Sequence, residues 1–152
     1  MSYEDKLKTL GLELPQAPKP VATYIPAVKV GELLFLSGVL PMQNDQLAYS
    51  GKLGRDLTVE QGMAAAKLAL LNALAIAKQE LSSLERIIRV VKVVGHVASA
   101  EGFTDQPQVL NGASDLLVAL FGDAGRHARV AIGAAELPRG AAVELELILS
   151  VR

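Results

Sequence analysis

Cysteine is absent from this chain, and with it go disulfides, thiolate metal sites and cysteine nucleophiles. Tryptophan is absent too, and aromatic residues make up only 4% of the sequence, too few to stack a run of bases. Neither sign of charge is in excess: 15 Lys and Arg face 16 Asp and Glu, for a net charge of −1. The electrostatic footprint of a nucleic-acid-binding protein is therefore missing, and no nucleic acid is expected as a partner. Two histidines, His96 and His127, do not make a metal cluster without carboxylate help. No glycine-rich phosphate loop and no Ser-His-Asp set can be assembled. No uninterrupted apolar run reaches the roughly 18–20 residues that cross a bilayer. The polar start, Met1-Ser-Tyr-Glu-Asp-Lys, is no secretory signal. These absences lead us to expect a cytoplasmic protein with no membrane partner.

What is present is a folding pattern. The chain has 152 residues, is 51% hydrophobic, and suits one domain over residues 1–152. Tyr3 to Leu10 has the spacing of a short amphipathic helix with Gly11 as its stop. Leu14 to Pro20 reads as a proline-stiffened connector. Ala22 to Val30, interrupted by Pro26, and Leu33 to Ser37 read as a strand hairpin. Gln43 to Gly54 reads as a loop. Thr58 with Gln61 has capping-box spacing and opens a broadly apolar, mostly buried helix. Ile87 to Ala98 is β-branched and apolar on both faces, as in a central strand. Gln106 to Phe121 keeps a helical period. Arg129 to Val151 reads as two strands reversing at Leu137-Pro-Arg-Gly140. The order implies an α+β layer: a mixed sheet with two helices packed on one face. The other sheet face stays apolar and uncovered, which implies self-association.

Arg129 is the sharpest candidate for chemistry. It shares its strand face with Ala131, Gly133 and Ala135, so a ligand has room to reach the guanidinium, which grips a carboxylate with two parallel bonds. Glu144 and Glu146 share one face of the last strand. Either could position or deprotonate water. The pair could also be a charged row that discourages aggregation, or Arg129 could pair with one of them. Tyr24, Ser37 and Gly38 come from the first hairpin, and Asn111 lies on the polar edge of the second helix. Each could touch a ligand or serve an ordinary structural purpose. The same holds for His96 and His127.

On these residues the chain resembles the Rid/YjgF family of reactive intermediate deaminases, also called L-PSP-type endoribonuclease-like proteins. The resemblance lies in Ala128-Arg129, Glu136-Leu-Pro-Arg-Gly140 and Val143-Glu-Leu-Glu-Leu-Ile148, together with YIPAVKVGELLFLSGVLP from Tyr24 to Pro41. It covers nearly everything from Tyr24 onward, so residues 1–20 look like an extension found in part of the family. The resemblance implies a chorismate-mutase-like homotrimer with clefts between subunits. It implies hydrolysis of small enamines or imines, such as 2-aminoacrylate, to 2-keto acids and ammonia without cofactor or metal. Arg129 would hold the substrate carboxylate and Glu144 would handle water and protons. Tyr24, Ser37, Gly38, Asn111 and Ala131 would line the cleft. Ala131 stands where well-known members carry cysteine, which leaves a non-catalytic carboxylate-binding protein as the alternative, and a ribonuclease as a third. His127, on the same strand parity as Arg129, would alter the pocket.

Overall fold

The computed structural model describes residues 1–20 and 22–152. Five strands make its central sheet: β1 (Ala27–Val30), β2 (Leu33–Leu36), β5 (Ile87–Ala98), β6 (Ala128–Ala134) and β7 (Val143–Val151). They lie in the order β1-β2-β7-β5-β6. Two helices, α2 (Val59–Leu81) and α3 (Gln106–Phe121), cover one face. The expected α+β layer with two helices on one side is what forms.

The alternation of β7 decides which face is which. Val143, Leu145, Leu147, Leu149 and Val151 are buried against the helices, while Glu144, Glu146, Ile148 and Ser150 point to the open side. In β5 the rhythm is broken by two register shifts, between Ile87 and Arg89 and between Val90 and Lys92. A bulge adds a residue and re-aims the side chains beyond it. Ile87, Val90, Val93, Gly95 and Val97 therefore reach the core, and Ile88 is left exposed. The run is apolar on both faces as expected, with one face in the core and Val91, Val94 and His96 only partly buried on the other.

The final pair of strands departs more sharply from its sequence reading. β6 and β7 are not a hairpin. β5 lies between them, parallel to β6 and antiparallel to β7. The connection turns through Pro138–Gly140 and is pinned to the segment before α2, where Gly51 N–H donates to Gly140 O and Ala142 N–H to Tyr49 O. Proline and glycine mark a reversal without stating how far the chain travels.

α2 is alanine-rich, and its small side chains let backbones approach. At Gly112 of α3 an added Cβ would strike the Met63 carbonyl of α2. The Thr58–Gln61 capping box is complete: Gln61 N–H donates to Thr58 Oγ1 and Thr58 N–H to Gln61 Oε1. By length and composition this 23-residue helix could cross a membrane, but most of its apolar stretch is buried inside the fold. Asn72, its fully buried amide, donates to the carbonyls of Met42 and Leu68.

Two segments differ in detail from expectation. The first strand spans only Ala27–Val30, because bends and Pro26 occupy the residues just before it. The loop after Pro41 contains a small ribbon, β3 (Met42–Gln43) and β4 (Gln46–Leu47), closed by Asn44 and Asp45 at positive φ. The N-terminal helix α1 (Tyr3–Thr9) is docked rather than loose. Tyr3 packs edge-on to Phe121 at 4.6 Å between ring centres, and its N–H donates to Glu85. Leu12 packs against the core, and Leu14 and Ala17 of the connector do so along α2.

Candidate functional site

The candidate residues fall into two groups, and one protomer keeps the groups apart. Arg129 pairs in register with Val93, so its side chain lies on the helix-covered side at the β6 edge of the sheet. Glu144 pairs with His96 and lies on the open side. The ion pair between Arg129 and a glutamate, one of the sequence-based options, is therefore not formed. Opposite faces of the sheet separate the two.

In the first group, α3 presents Asn111 and Ser114 at i, i+3, on one helix face. Arg129 Nη1 donates to Asn111 Oδ1 at 2.8 Å and to Ser114 Oγ at 3.1 Å. Ser114 Oγ is in turn 3.0 Å from His127 Nε2, and His127 Nδ1 is 2.6 Å from Gly125 O. A carbonyl can only accept, so Nδ1 carries a proton and donates. In the neutral ring Nε2 then accepts from the Ser114 hydroxyl. The chain of donors thus runs from Arg129 through Ser114 and His127 to a backbone carbonyl. Both bonds of Arg129 use one nitrogen. Among the described residues Nη2 and Nε hold no partner, so one edge of the guanidinium is available to a ligand. Ala131 follows on the same face and packs against the core beside Gly95.

The second group is built from backbone. Tyr24, Ser37 and Gly38 line one cavity of about 100 Å³. Ser37 donates its hydroxyl to Ile25 O at 2.6 Å, so toward a ligand it offers only lone pairs. Gly38 permits a close approach: the Glu144 carboxylate occupies the place where a Cβ would stand. Burial raises the Glu144 pKa above the usual carboxylate range; the nearby His96 opposes that rise and Glu146 adds to it. Glu146 is itself engaged, with Oε2 at 2.7 Å from His96 Nε2. Of the two glutamates, Glu144 is the one that lies against Gly38, a residue of the cavity wall.

Sequence reasoning does not single out Ser114 or give His127 a partner. The i, i+3 spacing from Asn111 is the signal for Ser114. The link to His127 needs the placement of β6 beside α3. Met42 and Arg139, which line the same cavity as Gly38, are also not singled out by sequence.

A family model described as "YjgF/chorismate_mutase-like, putative endoribonuclease" matches residues 4–148. Protein TCP17 of Trypanosoma cruzi is 42% identical over 146 residues, covering 95% of this chain and 91% of that protein. The crystal structure of Atu1372 from Agrobacterium tumefaciens, of unknown function, superposes with a TM-score of 0.93 at 43% identity, over 99% of this chain and 92% of that one. TdcF of E. coli, solved with bound serine, shares the fold with a TM-score of 0.64 at 22% identity, over 90% and 94% of the two chains.

Proposed function

We propose, on the premise that this chain belongs to the YjgF/chorismate mutase-like family, that it hydrolyses small 2-imino acids and their enamine tautomers to 2-keto acids and ammonia. The observation that carries this is the state of Arg129: buttressed through one nitrogen by Asn111 and Ser114, with its other edge available for a carboxylate. Water adds to the imine carbon and gives one proton to nitrogen. The carbon–nitrogen bond of the resulting carbinolamine then breaks as its hydroxyl loses a proton, and ammonia leaves. Glu144, with its raised pKa, takes and returns those protons. An imine carbon is already electrophilic, so holding the carboxylate and placing one proton carrier supply the main help. Bound serine in TdcF supports a small carboxylate as ligand.

Because Arg129 and Glu144 lie on opposite faces, a working cleft takes Arg129, Asn111 and Ala131 from one copy and Tyr24, Ser37, Gly38 and Glu144 from a second. A cyclic homotrimer meets that need with three clefts. The open sheet face supports it: Val28, Val30, Phe35, Val130 and Ile132 are exposed. The test is trapping of 2-iminopropanoate with semicarbazide, with and without the protein. Unchanged trapping across several amino-acid-derived imines rejects the hydrolase. Light scattering that shows a monomer at micromolar concentration rejects the shared cleft.

A second reading rests on Ala131, which offers no thiol. In that reading the cleft binds keto acids without turnover. Calorimetric binding that is abolished by Arg129→Ala, with no acceleration of imine loss, selects it.

A further inference from the structure

The cavity that holds Tyr24, Ser37 and Gly38 extends past them, and the rest of its wall has no part in the reaction above. Pro18, Lys19 and Pro20 of the N-terminal connector line it, with Ile76 of α2 and Arg139 from the β6–β7 connection. The interior is apolar. The charged side chains that line it, Lys19 and Arg139, are both cations.

Arg139 carries a second, independent sign. Its backbone sits at φ 60° and ψ 13°, a left-handed conformation that costs an ordinary residue about 1–2 kcal/mol. Gly140 beside it also sits at positive φ, where glycine carries no such cost. A bulky side chain kept in a strained place is grounds for asking what the side chain does. Structurally it does little: Nη1 lies 3.7 Å from the Met42 sulfur, and among the described residues Arg139 forms no ion pair.

We infer that this cavity is a subsite for the substrate side chain and that Arg139, assisted by Lys19, selects a side chain ending in a carboxylate. The preferred ligands are then dicarboxylic imino and keto acids, with one or two methylenes between the reacting carbon and the distal acid. The apolar walls of Ile76 and Pro26 take the methylenes, and the two cations take the charge. This inference rests on the 2-imino-acid reading, and it assigns the N-terminal connector a place in specificity.

Calorimetry on the assembled protein tests it with 2-oxoglutarate and 2-ketobutyrate as probes, which reads binding without turnover. The expected result is tighter binding of 2-oxoglutarate by about ten-fold, the value of one charge-assisted contact. Arg139→Gln should bring the two affinities together, and Arg139→Lys should restore part of the gap. Equal affinities in the unaltered protein overturn the subsite alone. A preference that survives in Arg139→Gln overturns the role of Arg139. Failure of both acids to bind overturns the parent reading along with it. In turnover, a leucine-derived imine preferred over a glutamate-derived one would also defeat the proposal.

Discussion

The two halves of the candidate site are held by different means. Arg129 is fixed by side chains, through Asn111 and Ser114 on α3, with His127 bracing the serine. Glu144 is fixed by the sheet and by the missing side chain of Gly38, and its surroundings shift its proton affinity. The first half is a hydrogen-bonded cradle for a permanent cation. The second is a half-buried acid beside a cavity. A cation needs orientation more than tuning, because its charge does not change. A proton carrier needs tuning, which burial supplies. Within one protomer the strand register keeps the two halves on opposite faces of the sheet.

The largest expected effects break the separation directly. Arg129→Ala and Glu144→Gln should each lower kcat/KM by about 10²-fold or more. Mixed and reassembled one to one, the two inactive variants should recover about a quarter of native activity, because random subunit pairing rebuilds that share of clefts from two intact halves. No recovery after demonstrated subunit exchange would falsify the shared cleft.

Next come the two glycines that set each half. Gly112→Ala drives a Cβ into the Met63 backbone carbonyl, which cannot swing aside, so α3 must move with Asn111 and Ser114. Overpacking of this kind destabilises by about 1–3 kcal/mol, readable as a lower urea midpoint. Gly38→Ala instead displaces the Glu144 carboxylate. Activity should fall while the urea midpoint moves less than in Gly112→Ala. The reverse order would mean that the second half is a structural element.

Ser114→Ala sharpens the first half. It removes a bond worth about 0.5–1.5 kcal/mol to Arg129, so KM should rise a few-fold with kcat less affected. A fall in kcat at constant KM would place Ser114 in the chemistry rather than behind the arginine.

The smallest effect concerns pH. The folded-state pKa of Glu144 is raised, so the folded protein holds this proton more tightly than the unfolded chain. Below the unfolded value near 4.5 both states are protonated, and the group costs no stability. The cost grows as pH rises from there through the folded pKa. Glu144→Gln removes that penalty. The variant should gain stability relative to the parent at neutral pH and lose the advantage as pH falls below the carboxylate range. Thermal melts across that range would show the two curves converging at acid pH, and parallel curves would contradict the assignment.

Much of the fold and part of the site are legible in the residues. The capping box at Thr58 and Gln61 is a local event within four residues, and it forms as written. The alternation of β7 sets its buried face because side-chain direction repeats every two residues whatever the neighbours do. Residue type marks Arg129 and Asn111 as candidates, but nothing in their spacing says that they touch. The hairpin reading of β6 and β7 fails because turn residues signal a reversal, while the strand that fills the gap comes from about thirty residues earlier in the chain. The bulges in β5 are equally hidden, since they depend on the partner strand's register.

The sequence by itself determined the elements, the inward face of most of them and the family, and it marked the candidate side chains, because these depend on local periodicity and on residue type. Only the tertiary structure decided which of those side chains meet. Inserting β5 between β6 and β7 sent Arg129 to the helices and Glu144 to the open face. It also brought the connector and Arg139 to the wall of one cavity. Such meetings are set by the burial of apolar surface between distant segments, about which sequence spacing carries no information.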